Sequence, residues 1–169
     1  MYATLYHFLK RFLRDRTIFK YGFNLSPMYR RSSGKIQYVS DDLLKVRIKI
    51  PISLKNRNYA GSIFGGSLFS ATDPIFMIQL IYKLGDDYIV WDKKSTIHFK
   101  RPAFETAFVD FIFTQDEIDT IKKRIQVENK LDLVKELKIT NKDASIVFAE
   151  VSKTIYIADK KYYKSKRRH

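Results

Sequence analysis

An α+β domain built on one antiparallel sheet is the architecture expected of this chain, and three features point to it. Strict alternation of apolar and cationic residues in Lys45-Val46-Arg47-Ile48-Lys49-Ile50 marks a strand with one dry face and one wet face. A long apolar stretch over residues 66–84, stopped by Gly85, reads as a central helix. Beyond it the chain becomes a run of β-rich segments with one helical insertion, and helices and strands segregated in this way indicate α+β.

Residues 4–20 carry Leu5, Phe8, Leu9, Phe12 and Leu13 at helical spacing, with Lys10, Arg11, Arg14 and Arg16 between them. This predicts an amphipathic helix that packs its aromatic stripe on the domain or lies on a membrane surface. Charges interrupt any apolar core that a secretory signal would need. Residues 24–31, with Pro27, form the connection to the sheet, and residues 36–40 pair with the alternating strand as a hairpin across Asp41-Asp42. Pro51 ends that ladder. After the central helix come strands at 88–99 and 107–114, the latter rich in Phe. Thr114-Gln115-Asp116-Glu117 has the pattern of a capping box, opening a short helix with Ile118, Ile121 and Ile125 on one side. Strands at 131–140 and 145–157 follow, joined by a turn at Asn141-Lys142-Asp143. In the last strand Val147, Ala149, Val151, Ile155 and Ile157 alternate with more polar neighbours.

Composition narrows the function. The 169 residues suit one domain, organised as an N-terminal helix and connection (1–34), a central domain (35–159) and a basic tail (160–169) expected to run on as a solvated extension. The net charge of +14 is concentrated at the ends: residues 1–31 hold seven Lys or Arg against Asp15, and residues 160–169 hold six with no acid. The middle is near neutral, so nucleic acid is a disfavoured partner, and membrane-surface contact through the basic ends is kept as an alternative. There is no cysteine, which excludes disulfides and thiolate chemistry and suits a cytoplasmic protein. His7, His98 and His169 are too scattered for a metal site. No apolar run approaches the roughly 20 residues that span a bilayer.

One segment reads as a site. Asn58, Gly61, Phe64, Gly65, Gly66 and Asp73 combine a glycine-broken loop, a helix start and an acid among Leu68, Phe69, Phe76 and Met77. Paired glycines let backbone amides approach a polarised carbonyl or an anion, although they also mark a tight turn or close packing. A carboxylate on an apolar helical stretch needs a reason, and the dipole of the first turns supplies only part of one.

In order and spacing, Asn58, Gly61, Gly65, Gly66 and Asp73 resemble the central motif of hotdog-fold acyl-CoA thioesterases, particularly the phenylacetyl-CoA thioesterase type. The Phe-Gly-Gly version is similar to a branch of that superfamily described only as thioesterase-like. The resemblance implies a hotdog fold, an antiparallel sheet wrapped around the central helix, assembled as a homodimer or homotetramer. It implies an acyl-CoA or acyl-carrier thioester as substrate and no cofactor. Gly66 would be the oxyanion donor, Asp73 the carboxylate that activates water or attacks the thioester across a dimer interface, and Asn58, Gly61, Phe64 and Gly65 would line the pocket. An apolar surround is expected to push the Asp73 carboxyl upward. Arg101, in Lys100-Arg101-Pro102, matches a place where relatives carry a basic or polar residue, and would meet a coenzyme A phosphate, the alternative being a solvated strand end. Two departures are visible: Phe64 stands where the motif has His, and Pro74 follows Asp73, which places the acid at a kink. Alternative readings are a non-catalytic acyl or lipid binder, and a basic nucleic-acid or membrane-surface protein.

Overall fold

The alternation of residues 45–50 becomes an inner strand whose Val46, Ile48 and Ile50 are buried. It belongs to a computed structural model that describes residues 9–166. Six strands, β1 (Lys35–Val39), β2 (Lys45–Ile50), β3 (Tyr88–Phe99), β4 (Ala107–Ile112), β5 (Lys130–Thr140) and β6 (Val147–Asp159), form one antiparallel sheet in the spatial order β1-β2-β4-β5-β6-β3. The helices are α1 (Asp15–Leu25), α2 (Pro27–Arg31), α3 (Gly65–Ser70), α4 (Ile75–Leu84), α5 (Gln115–Glu128) and α6 (Lys160–Lys166). Together they make the hotdog arrangement, with α4 held against the sheet.

The contact between α4 and the sheet is aromatic. Phe76 meets Phe111 and Phe113 edge to face, at centroid distances of 4.9 and 5.3 Å, and all three rings are buried. Burying a side chain of this size contributes about 1.5–3 kcal/mol. β4 and β5 pair only at Phe108 and Val109, and beyond that point α5 fills the gap with Ile118, Ile121 and Ile125. Its capping box forms as expected: Thr114 Oγ1 accepts from the Glu117 amide, and the Thr114 amide donates to the Glu117 carboxylate.

Three expectations change. The helix predicted over 4–20 is interrupted within the described residues: Leu9 is helical and its carbonyl accepts from the Leu13 amide at 2.9 Å, Arg14 is extended, and α1 starts afresh at Asp15, the acid that suits a helix N-terminus. The expected connection at 24–31 is thus itself helical, as the end of α1 and as α2. Residues 1–8, and residues 167–169 of the predicted basic tail, lie outside the described residues. The basic residues 160–166 wind into α6, which buries nothing, so they are solvated but helical.

The third change matters most: the central helix is two helices. Between α3 and α4 the chain turns through Ala71–Pro74, with a cis Asp73-Pro74 bond. Proline lacks the amide that would bond the Ser70 carbonyl, and it drives the preceding residue out of α geometry. The break is a satisfied structure. The buried Tyr29 hydroxyl donates to the Ala71 carbonyl at 2.9 Å, and Thr72 Oγ1 donates to the Phe69 carbonyl at 2.8 Å. Burial pushes the Tyr29 hydroxyl pKa up, which keeps it protonated as a donor.

Candidate functional site

The break projects Asp73 away from the apolar core. Its side chain is 57% exposed, in a cleft of 560 Å³ formed by α2, the α3–α4 turn and β3. Met28, Tyr29 and Phe69 give that cleft apolar wall, while Asp73, Asp92 and Lys94 give it charge.

Beneath Asp73 lies Lys153, 1% exposed. Its ammonium donates to Asp73 Oδ1 at 2.9 Å and to Asp92 Oδ2 at 3.1 Å. Lys153 occupies an inward position of β6 between Val151 and Ile155. Asp92 comes from β3, where a bulge between Asp92 and Lys94 switches which residues face inward. A charge this deep needs partners, and two carboxylates supply them.

The two acids respond differently. Asp92, 17% exposed, is pushed up to about 6 by burial and by its hydrogen bond with Asp73, against the pull of Lys153. At Asp73 burial also acts upward, but the hydrogen bonds from Asp92 and Lys153, with the charge of Lys153, outweigh it and hold the carboxyl below its ordinary value. The upward push expected at Asp73 thus falls on Asp92, because the Asp73 side chain leaves the apolar surface that the sequence places around it. The result is an ionised carboxylate facing solvent beside a carboxyl that keeps its proton to higher pH.

The remaining predicted residues gather elsewhere in the chain. Asn58 Oδ1 accepts from the Ala60 and Ser62 amides at 3.0 and 3.1 Å, and its Nδ2 donates to Ser62 Oγ, so the side chain is engaged in its own loop. Gly61, at φ 82°, provides the left-handed residue of that turn. Phe64 precedes α3, and its ring lies where a Cβ on Gly66 would stand. The Phe99 ring lies 2.7 Å from where a Cβ on Gly65 would stand. Both glycines therefore accommodate aromatic rings. Their amides, the first two of α3, have no backbone acceptor among the described residues. Arg101 is exposed, held by its amide to the Phe148 carbonyl. Within one chain none of these residues lines the Asp73 cleft.

The profile of the DUF4442 family, a domain of unknown function, matches residues 15–157. The chain belongs to this family. Comparison with the curated proteins finds no match. Among crystal structures, a Pseudomonas aeruginosa protein of unknown function described as a probable thioesterase superposes on this DUF4442 domain with a TM-score of 0.71 at 20% identity, over 85% of this chain and 93% of its own. A Chlorobaculum tepidum protein of unknown function gives 0.65 at 13% identity, covering 94% of each chain. A Haemophilus influenzae thioesterase gives 0.59 at 11% identity, covering 83% of this chain and 88% of its own. The DUF4442 chain thus has the hotdog fold of thioesterase-like proteins. Among its described residues no cluster of His, Cys, Asp and Glu could hold a metal, and no helix is long and apolar enough to cross a membrane.

Asp92 and Lys153 are absent from the motif, yet the sequence carries a trace of them. Continuing the alternation of β6 through position 153 puts a lysine on the dry face, which demands a buried partner.

Proposed function

We propose that this protein hydrolyses an acyl-CoA or acyl-carrier thioester, with Asp73 as the carboxylate that acts on it. The observation that carries the reading is an ionised carboxylate, more than half exposed, facing a cleft with apolar walls in a fold shared with thioesterases. Asp73 takes a proton from water while the water oxygen bonds to the thioester carbonyl carbon. The carbon–sulfur bond then breaks, the proton passes to the departing sulfur, and a carboxylic acid and a thiol leave. The Gly66 amide is the proposed oxyanion donor, with the carboxylate and the helix start contributed by different subunits of a homodimer or a homotetramer. Such a donor lowers the barrier by about 3–4 kcal/mol. Asn58 and Gly61 shape the loop that presents it, Gly65 and Phe64 flank it, and Arg101 meets a phosphate of the carrier. No cofactor is needed, and a cytoplasmic location accords with the lack of cysteine.

Purified protein assayed with a thiol reagent against acyl-CoAs of graded length tests this. Hydrolysis that falls at least 100-fold in Asp73→Asn is the expected outcome, and turnover undiminished in that variant sinks the reading.

A second reading, an acyl binder without turnover, has its own support in the Phe64 ring stacked over Gly66. It predicts saturable acyl-CoA binding by calorimetry, no thiol release, and tighter or looser binding when Phe64→Ala uncovers the glycine.

A further inference from the structure

The motif accounts for Asp73 but leaves Lys153 and Asp92 unexplained. Neither is expected in the middle of a β-sheet core: Lys153 is 1% exposed, and Asp92 keeps its Oδ1 buried without a hydrogen-bond partner among the described residues. A sheet needing only stability would carry apolar residues at both positions, since replacing a buried ion pair by packed apolar groups is often neutral or stabilising. The arrangement has a direction. Lys153 stands on the floor, Asp92 anchors it from the neighbouring strand at the cleft wall, and Asp73 is the most exposed of the three, 57% against 17% and 1%.

We propose that Lys153 and Asp92 are positioning residues for the reaction assigned above to Asp73: the Lys153 ammonium fixes and orients the Asp73 carboxylate, and Asp92, bonded to the same ammonium, holds the one proton that the two acids share. This inference rests on the thioesterase reading and adds two members to its site. One cation facing two carboxylates is neutral when the acids carry one proton between them. That proton resides on the less exposed acid up to about pH 6, and Asp73, already ionised below that, is the acid left free to act as a base.

The other charged groups around the cleft are consistent with this. Lys93 on β3 is tied to Asp132 at 2.6 Å. Lys135, paired opposite Lys153 on β5, is tied to Glu117 at 2.7 Å and lies 4.7 Å from the centre of the Phe113 ring. The Tyr29 hydroxyl on α2 is given to Ala71. Arg31 on α2 and Lys94 on β3 line the cleft, and the lowering at Asp73 comes from Asp92 and Lys153.

The test is the pH profile of kcat/KM for the wild type, Asp73→Asn, Lys153→Met, Lys153→Arg and Asp92→Asn on an acyl-CoA that the wild type hydrolyses. Lys153→Met is expected to lower kcat at least 10-fold with KM changed less than 3-fold, and to move the acid limb upward by a unit or more. Arg at 153 recovers part of the rate, and its acid limb stays closer to that of the wild type. Asp92→Asn abolishes any inflection near pH 6. A Lys153→Met enzyme with the wild-type limb and rate overturns the inference while Asp73→Asn, if inactive, leaves the thioesterase reading intact. Full activity in Asp73→Asn overturns both. Should Lys153→Met fail to fold, Lys153→Arg and Asp92→Asn decide the matter. Carbon-detected NMR of the carboxyl groups needs no turnover: one carboxyl titrating near pH 6 and lost in Asp92→Asn supports the shared proton. Every carboxyl of the wild type titrating in the ordinary range of about 3.5–4.5 overturns it.

Discussion

The inward positions Ala149, Val151, Lys153, Ile155 and Ile157 of β6 are all buried, and only the middle one is charged. An uncompensated ammonium there would be prohibitive, so the stability of the protein at a given pH depends on the acids it meets. For Asp92 the sign follows from its rise from 3.8 to about 6. The folded state holds this proton more tightly than the unfolded chain, so its contribution is present below about pH 4 and is lost as pH rises to about 6. Two units correspond to about 3 kcal/mol at most. Asp73 acts oppositely: its lowered value stabilises the fold above the ordinary carboxyl range and is lost as pH falls through it. Asp92→Asn is therefore expected to shrink the loss of stability between pH 4.5 and 7.5, measured by urea unfolding at each pH. Equal pH dependence in variant and wild type refutes the assignment. Lys153→Met should destabilise more at pH 8 than at pH 5, because at the lower pH Asp92 can neutralise itself. The loss at pH 8 is expected to lie below the roughly 3–5 kcal/mol of a fully buried pair, since Asp73 is half open to water.

At the level of elements, the break between α3 and α4 sets where Asp73 stands, and Tyr29 holds the break. Removing its hydroxyl leaves the Ala71 carbonyl buried without its donor. Tyr29→Phe is expected to cost about 1–3 kcal/mol in denaturant unfolding and to weaken any Asp73-dependent turnover. A variant as stable as the wild type would show that the hydroxyl is not what pins the turn. The legibility of these elements differed for physical reasons. β2 and the capped helix α5 are legible in the sequence because period and cap chemistry are local. Pro74 signals a disturbance, but a proline in a helix kinks or divides it depending on what receives the freed carbonyls, and here the receiver is 42 residues upstream at Tyr29. The triad is non-local in the same way: Asp73, Asp92 and Lys153 are 80 positions apart at the extremes and meet only through sheet register and a bulge. The glycine motif was visible as a pattern, yet the rings of Phe64 and Phe99 that occupy the space above it were not.

Across the whole molecule the two edges of the sheet are treated differently. β1 is closed by α1: Asn24 Nδ2 donates to the Ile36 carbonyl at 2.9 Å, and the Ile36 amide donates to Asn24 Oδ1 at 2.8 Å. That side chain occupies hydrogen-bonding groups of the outer strand that another chain would otherwise seek. The opposite edge, β3, pairs among the described residues with β6 alone, from Tyr88 to Phe99 with a bulge at Lys93, and exposes Trp91 and Phe99. Phe64 and Phe104 are exposed as well, and Gly65 ties the Phe64 segment to the Phe99 ring. A long strand whose edge is unpaired among the described residues, with large exposed rings, suits self-association about a two-fold axis, in which the edge meets its own copy. We expect sedimentation equilibrium at micromolar concentration to give twice the mass of one chain. Trp91→Glu combined with Phe99→Glu should return the monomer and, if the carboxylate and the helix start work across subunits, abolish hydrolysis while leaving the circular dichroism of the fold in place. A wild-type monomer that still hydrolyses a thioester would place the whole reaction within one chain, and Gly66 would then have to give way to another donor near the Asp73 cleft.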